Sequence, residues 1–333
     1  VLLVDATTLY QLGGDGDDWR LHTGYNLGQG RIDHLKLTDK YTGEDVAHVD
    51  IAENDILVAD RTYGYRKSVA LVRDKHAHGV FRFHPKTLPL YATNGQRVDM
   101  MRDLARHPEG WDRSVLVEYD GTFYLARMVV MPLPEAEAAK ARSKLRRDAK
   151  RKGRQVTKES LRYAGYLFVV TTLPIAAWST REILRLYRAR WQVELLFKRM
   201  KQLIRLNEIR ATTRAAVEAT VRAVLIAWML QETVKEEFRE ACAKVREFPP
   251  DKDLLCGLSE EYTSSWTLTA LCVDTLRMNV RGGWNFARVR HCLPRLLRYV
   301  QQRRRNRTHQ EQAVRQWLKT KQPRAIRRHK PAA

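Results

Sequence analysis

Cysteine is scarce in this sequence. The 333 residues contain four, Cys242, Cys256, Cys272 and Cys292, with no C-x2-C pair and no zinc-ligand spacing. That excludes a disulfide scaffold and a zinc ribbon, and free thiols in a reducing cytosol are the simple reading. Long apolar runs are missing too. No 18-residue apolar span, leader-like segment or internal repeat is present, so nothing reads as a signal peptide, a membrane helix or a solenoid. His76-x-His78 has no companion ligands nearby. The loop Gly13-Gly-Asp-Gly-Asp-Asp18 resembles a calcium loop only loosely and lacks its downstream Glu. Acidic side chains are outnumbered, 38 against 60 Lys and Arg, which gives a net charge of +22 and a pI near 10.1.

That imbalance points to a polyanionic partner, and its placement says more than its total. Residues 1–135 carry 16 Lys/Arg against 20 Asp/Glu, a net of −4, and residues 136–333 carry the other 44 against 18, a net of +26. An acidic half joined to a basic half suits a protein that holds both metal and nucleic acid.

The most informative stretch is Tyr187-Arg-Ala-Arg190-Trp-Gln-Val-Glu194-Leu-Leu-Phe-Lys-Arg-Met-Lys201, with the spacing Y-x2-R-x3-E-x6-K. Read as one helix at about 100° per residue, Tyr187, Arg190, Glu194 and Lys201 fall within roughly 60° of one another. Trp191 and Lys198 edge the same arc. Leu186, Val193, Leu196, Met200 and Leu203 cluster on another face, as in a helix that packs one side and presents the other. Charged faces on amphipathic helices are usually just solvated, and Glu194 with Lys198 is an ordinary i,i+4 pair. Two aromatic residues on the polar side argue for more.

Two short apolar runs each carry an acid. Val1-Leu-Leu-Val-Asp5-Ala-Thr7 reads as a buried strand with a carboxylate at its tip, and Asp55-Ile-Leu-Val-Ala-Asp60-Arg-Thr-Tyr63-Gly64 repeats the design. Acids after strands also serve turns. Trp19 to Leu27 and Arg31 to Thr38 form a hairpin pattern around Gly28-Gln-Gly30. Thr42 to Val49 suggests a short helix, Ile56 to Ala59 a strand, Arg66 to Ala77 a helix and Gly79 to Phe83 a strand.

With these residues in this order, the sequence resembles the DDE transposases of bacterial insertion sequences, specifically the insertion-sequence-four group, whose hallmark is the Y-x2-R-x3-E-x6-K pattern. The likeness covers residues 1 to 230. It implies an α/β fold: a ribonuclease H-like mixed sheet flanked by helices, interrupted by a mostly β insertion, with a helical C-terminal region. It implies a catalytic and metal-binding triad of Asp5, Asp60 and Glu194, with Tyr187, Arg190 and Lys201 gripping phosphates at the transposon end. Lys198 and Arg61 are further phosphate candidates, and Trp191 either stacks on a displaced base or edges the core. The partners implied are double-stranded DNA and a second copy in a synaptic dimer, in the bacterial cytoplasm at the nucleoid. Members usually carry an N-terminal domain that binds terminal inverted repeats. Since the chain opens at Val1 directly on the Asp5 strand, a fragment or truncated element with weakened end binding is expected.

The chemistry accounts for acids gathered from distant positions. Two carboxylates about 5 Å apart repel by roughly 3 kcal/mol at an effective dielectric near 20, so such a cluster needs protons or cations. Hard oxygen ligands select Mg2+ or Mn2+. Two ions serve an in-line displacement at phosphorus, with Asp5 bridging them. A ribonuclease H-like nuclease without strand transfer, or an inactive DNA-binding relative, would share these features.

The expected organisation is a discontinuous catalytic core, 1–91 and 160–230, around a β-rich insertion with a basic arm, 92–159, followed by a helical region with a basic tail, 231–333. Ser114 to Tyr119 and Thr122 to Val130 read as a hairpin about Asp120-Gly121, and Tyr163 to Thr171 as a strand shared with the core sheet. Arg142 to Lys158 holds nine Lys/Arg and one Asp, as an arm that is helical, mobile or both. Ala215 to Ala241 has helical periodicity. Gln301 to Lys330, with eleven Lys/Arg and one Glu, reads as a basic tail of little specificity.

Overall fold

The computed structural model describes residues 1–10, 17–203 and 213–245, with 206, 209 and 211 between them. The Gly13–Asp18 loop up to residue 16, and everything beyond Val245, including Cys256, Cys272, Cys292 and the basic tail, lie outside the described residues.

The chain begins with β1 (Leu2–Tyr10), β2 (Asp17–Asn26) and β3 (Arg31–Asp39), an antiparallel meander. A 3-10 turn (Val46–His48) leads to β4 (Ile56–Ala59), a second 3-10 turn (Arg61–Tyr63), α1 (Arg66–Asp74) and β5 (His78–Arg82). Then come α2 (Met100–Arg106), the hairpin β6 (Trp111–Tyr119) and β7 (Thr122–Pro132), α3 (Glu135–Arg151), α4 (Lys158–Tyr163) and β8 (Tyr166–Thr171). Three helices follow: α5 (Thr180–Ala189), α6 (Trp191–Leu203) and α7 (Arg214–Val245).

All eight strands form one mixed sheet, in the order β3-β2-β1-β4-β5-β8-β7-β6. The pairs β1–β4 and β4–β5 are parallel and the rest antiparallel. This α/β sheet with helices on both faces is compatible with the expected ribonuclease H-like fold, and β8, β7 and β6 extend it without a break.

Alternate residues of the central strands feed two cores, which is why those strands read as near-continuous apolar runs. Leu3, Leu9, Val58 and Val80 face α5, α6 and α7 through Ile183, Leu186, Val193, Leu196 and Val217. Leu2, Val4, Leu57 and Phe81 face α1, α2 and α4 through Val69, Val72, Leu104 and Tyr163. In α7, Val217, Val221, Leu225 and Trp228 make the buried stripe, at the i,i+4 and i,i+3 spacings that put side chains on one helix face.

Two local expectations are corrected, and one left open is decided. Asp5 stands in mid-strand, because β1 continues to Tyr10 against β2. The strand expected from Tyr163 starts at Tyr166. The preceding residues form α4, capped by the Thr157 side chain on Ser160 N, and Tyr163 is buried edge-on against Phe168. The basic arm is helical to Arg151, with Ala138 its buried residue. Among the described residues no helix is long and apolar enough to cross a membrane.

Gly64 fixes the turn that follows β4. A Cβ there would lie 2.0 Å from the carbonyl oxygen of Arg82, well inside any tolerable contact. Gly64→Ala is therefore expected to cost about 1–3 kcal/mol, read as a lowered urea midpoint at unchanged slope. A midpoint equal to that of the parent chain would show that the turn and β5 part easily.

Candidate active site

The site is built where β1 and β4 run side by side. Their last register pair is Val4 with Ala59, so Asp5 and Asp60 are the next residues along two parallel strands about 4.8 Å apart. Both follow the alternation of Leu3 and Val58 and so belong to the face covered by α5 and α6. Asp60 ends its strand and caps the next turn. Its Oδ1 accepts from Thr62 N at 2.7 Å, and Oδ2 from the Thr62 hydroxyl at 3.4 Å. Asp5 Oδ1 accepts from Ala6 N at 2.9 Å.

Burial pushes the Asp5 carboxyl up to about 7. The Ala6 N–H and Arg190 pull it back, and Asp60 and Glu44 add to the rise. Removing a carboxylate from water disfavours its charged form, and like charges nearby do the same.

The signature stretch is not one continuous helix. Ser179 and Glu182 start α5 with a reciprocal capping box, and α5 ends at Ala189. Arg190 keeps helical dihedrals (φ −50°, ψ −31°). However, its N–H bonds Tyr187 O at 3.1 Å, and its carbonyl accepts from Val193 N at 3.1 Å. These i,i+3 bonds tighten the junction before α6 starts at Trp191. The apolar face is as expected, with Leu186, Val193, Leu196 and Met200 all buried. The Leu203 side chain lies outside the described residues.

Four of the expected residues meet. Arg190 Nη2 donates to Glu194 Oε1 at 2.6 Å, and its Nη1 stands 3.7 Å from Asp5 Oδ2. Its guanidinium carbon lies 5.8 Å from the Tyr187 ring centre. A cation thus ties the acid of α6 to the acid of β1. Lys201 is half-buried further along α6, while Trp191 and Lys198 are exposed on it. Arg61 is exposed on the turn after Asp60, where its charge, after burial, helps hold His84 below the usual imidazole range.

Two further groups shape the site, and neither was singled out from the sequence as a site residue. Glu44 is half-buried, and its carboxyl is raised by burial and by Asp60. The Tyr65 hydroxyl donates to its carbonyl at 3.4 Å, which ties this segment to the turn after Asp60. Tyr63 is fully buried with a hydroxyl that has no hydrogen-bond partner, in the combined field of Glu44, Asp5 and Asp60. Glu44 gave no signal because it sits in a loop between strands, and Tyr63 registered only as part of the Asp60 motif.

Among the described residues no three Asp, Glu, His or Cys side chains converge on one point that an ion would fill. The donor chemistry nevertheless fits a hard cation. Every candidate ligand is a carboxylate, Asp5 is crowded by other acids, and the charge between Asp5 and Glu194 is already compensated by a cation, the Arg190 guanidinium.

Comparison with known proteins adds an independent line. Residues 1–230 match the family described as Transposase DDE domain. The chain is 31% identical over 241 residues to the transposase for insertion sequence element IS421 of Escherichia coli. It has the same identity to the InsL protein for insertion sequence element IS186A of Escherichia coli strain K12. Each alignment covers 70% of this chain and 65% of the relative, so the chain spans about two thirds of the length of these relatives. The transposase for insertion sequence element IS231D of Bacillus thuringiensis subsp. finitimus is 28% identical over 115 residues, 34% of this chain and 24% of that protein.

Proposed function

The chain belongs to the Transposase DDE domain family, and from that premise we propose that it is the catalytic region of a cut-and-paste DNA transposase. One observation carries the proposal. Asp5 and Asp60 stand one step beyond the same register pair, and Glu194 is joined to Asp5 through Arg190. Two acids far apart in sequence are thus neighbours across parallel strands, and the third is linked to one of them by a shared cation.

In this reading Asp5, Asp60 and Glu194 hold two Mg2+ ions, or Mn2+ in their place. When bound, such ions supply Lewis acidity to an in-line displacement at phosphorus. Tyr187, Arg190 and Lys201, with Lys198 and Arg61 further out, hold the phosphates of the transposon end without reading sequence. Trp191, 42% exposed, offers a ring face to an unstacked base. The first step is hydrolysis: water adds to the end phosphodiester and the 3′ oxygen leaves as a hydroxyl. In the second, that 3′-hydroxyl attacks a target phosphodiester, one P–O bond forms and another breaks.

The fold is read as ribonuclease H-like, with the core in 1–91 and 160–230, the insertion in 92–159 and a C-terminal region in 231–333. The α3 helix supplies the basic arm of the insertion. The partners are double-stranded DNA and a second copy in the synaptic complex, in the bacterial cytoplasm.

The test uses the full chain with Mg2+ or Mn2+, on supercoiled plasmid and on duplexes bearing the element's own terminal sequences. Nicking that Glu194→Gln abolishes, together with joining of pre-cleaved 3′ ends to plasmid, is the expected result. Nicking without joining would favour a nuclease lacking strand transfer. DNA binding indifferent to metal and to Glu194→Gln would favour an inactive relative.

A further inference from the structure

The i,i+4 spacing of Arg190 and Glu194 ordinarily gives a solvated surface pair of small effect. Here the same pair is drawn inward. The Arg190 side chain is 14% exposed, and its guanidinium also reaches Asp5, whose side chain is 15% exposed. One side chain therefore neutralises two of the three acids assigned above to the metals.

Its bonding is incomplete. The guanidinium fork has five N–H donors, yet Nη2 alone makes a short hydrogen bond, to Glu194, while Nη1 stands 3.7 Å from Asp5 and the buried Nε has no partner. A phosphate accepts two parallel N–H bonds from such a fork. The surroundings also allow movement. Arg190 lies at the junction of α5 and α6, outside either regular helix, and the Tyr187 ring beside it gives the cation a second seat.

We propose that Arg190 is an exchangeable counter-cation that couples metal entry to DNA grip. With no DNA present it screens Asp5 and Glu194 and competes with a divalent ion for them. When a DNA phosphate takes the guanidinium, the two carboxylates are released to the ion. When an ion takes the carboxylates, charge repulsion drives the guanidinium toward the phosphate. Each ligand thus tightens the other, and the coupling is reciprocal. This rests on the reading above that Asp5 and Glu194 are metal ligands.

The test measures Mn2+ binding to the full chain by electron paramagnetic resonance and calorimetry. Each measurement is made alone and with a phosphorothioate duplex that resists cleavage. Without DNA, Arg190→Gln is expected to bind Mn2+ several-fold more tightly than the parent chain, and the duplex more weakly. The factor by which the duplex tightens Mn2+ binding should fall at least about fivefold, within the usual range of coupling. Arg190→Lys, which keeps the charge but not the fork, should fall between the two and guards against misfolding of the glutamine variant. Weaker Mn2+ binding by folded Arg190→Gln without DNA would overturn the proposal, since that is the result for a residue that merely positions Glu194. Unchanged coupling would overturn it too. Failure of the underlying reading looks different: Glu194→Gln and Asp5→Asn would leave the Mn2+ affinity at the parent value.

Discussion

Asp5→Asn is expected to abolish DNA cleavage and, at the same time, to make the metal-free protein more stable at neutral pH. The loss of activity follows from removing one of the three acids that would hold the metal ions. Lewis-acid stabilisation of several kcal/mol corresponds to a rate loss on the order of 10^3-fold or more.

The gain in stability follows from the cost of that carboxylate. Burial raises its folded-state value from 3.8 to about 7. Between these values the folded chain keeps a proton that the unfolded chain has lost. Stability is therefore full below about pH 4 and falls as the pH rises through 7. With roughly three pH units between the two states, the fall is about 2–4 kcal/mol. Asparagine has no proton to lose and should remove this contribution from the profile.

Urea unfolding in EDTA at pH 5 and pH 8 measures this as a difference, with the parent chain losing stability relative to Asp5→Asn across the interval, since other groups such as His22, held at about 4 by burial, titrate alike in both proteins. Added Mn2+ should recover the parent alone. Parallel profiles for the two proteins would mean that Asp5 is already compensated in the fold, and the argument for a strained acidic cluster would go with it.

Much of this cluster was legible in the sequence, for a physical reason. Strand runs such as Leu2 to Val4 and Leu57 to Ala59 are buried on both faces, so they stand out as apolar blocks, and an acid set against them is conspicuous. The helical periodicity of Leu186, Val193, Leu196 and Met200 is likewise a direct imprint of packing on the sheet. What the pattern did not carry was the junction at Arg190. A break that keeps helical dihedrals leaves the periodicity almost intact, so the stretch read as one helix. Nor did it carry Glu44, whose role comes from long-range proximity to Asp60. The mid-strand position of Asp5 was hidden because the apolar run stops at Val4, whereas the strand continues through the polar Thr7 and Thr8, which pair with β2. Local chemistry marked the candidate residues, while their mutual distances depend on strand order, which no local pattern encodes.

Strand order also explains why Arg127→Met should have the largest effect on stability among substitutions away from the acids. Arg127 on β7 is 4% exposed. Its Nε donates to Asp112 Oδ1 at 2.6 Å, Nη2 reaches the other carboxylate oxygen, and Nη1 donates to the Trp178 carbonyl at 2.5 Å. The Thr180 hydroxyl donates to the same carboxylate. This network pins the β6–β7 hairpin to the segment that caps α5, and α5 leads directly to Tyr187 and Arg190.

Removing the cation leaves the largely buried Asp112 carboxylate with the Thr180 hydroxyl but no counter-charge, which costs about 3–5 kcal/mol when one partner of a buried pair is lost. Arg127→Lys should recover only part of this, because an ammonium cannot make the planar fork. The double substitution Arg127→Met/Asp112→Leu should recover most of it, since apolar side chains of similar volume often replace a buried pair without loss. Urea midpoints for the three variants decide the matter, and a cost under about 1 kcal/mol for Arg127→Met would show the pair to be solvated and incidental.

The double variant then separates two jobs of the network. If it folds as stably as the parent yet cleaves DNA poorly, the fork contributes orientation to α5 beyond its energy, because apolar packing restores cohesion without fixing the direction of a helix. If cleavage returns with stability, the hairpin needs only to be held against α5, and the position of Arg190 is set by the capping box at Ser179 and the packing of Leu186.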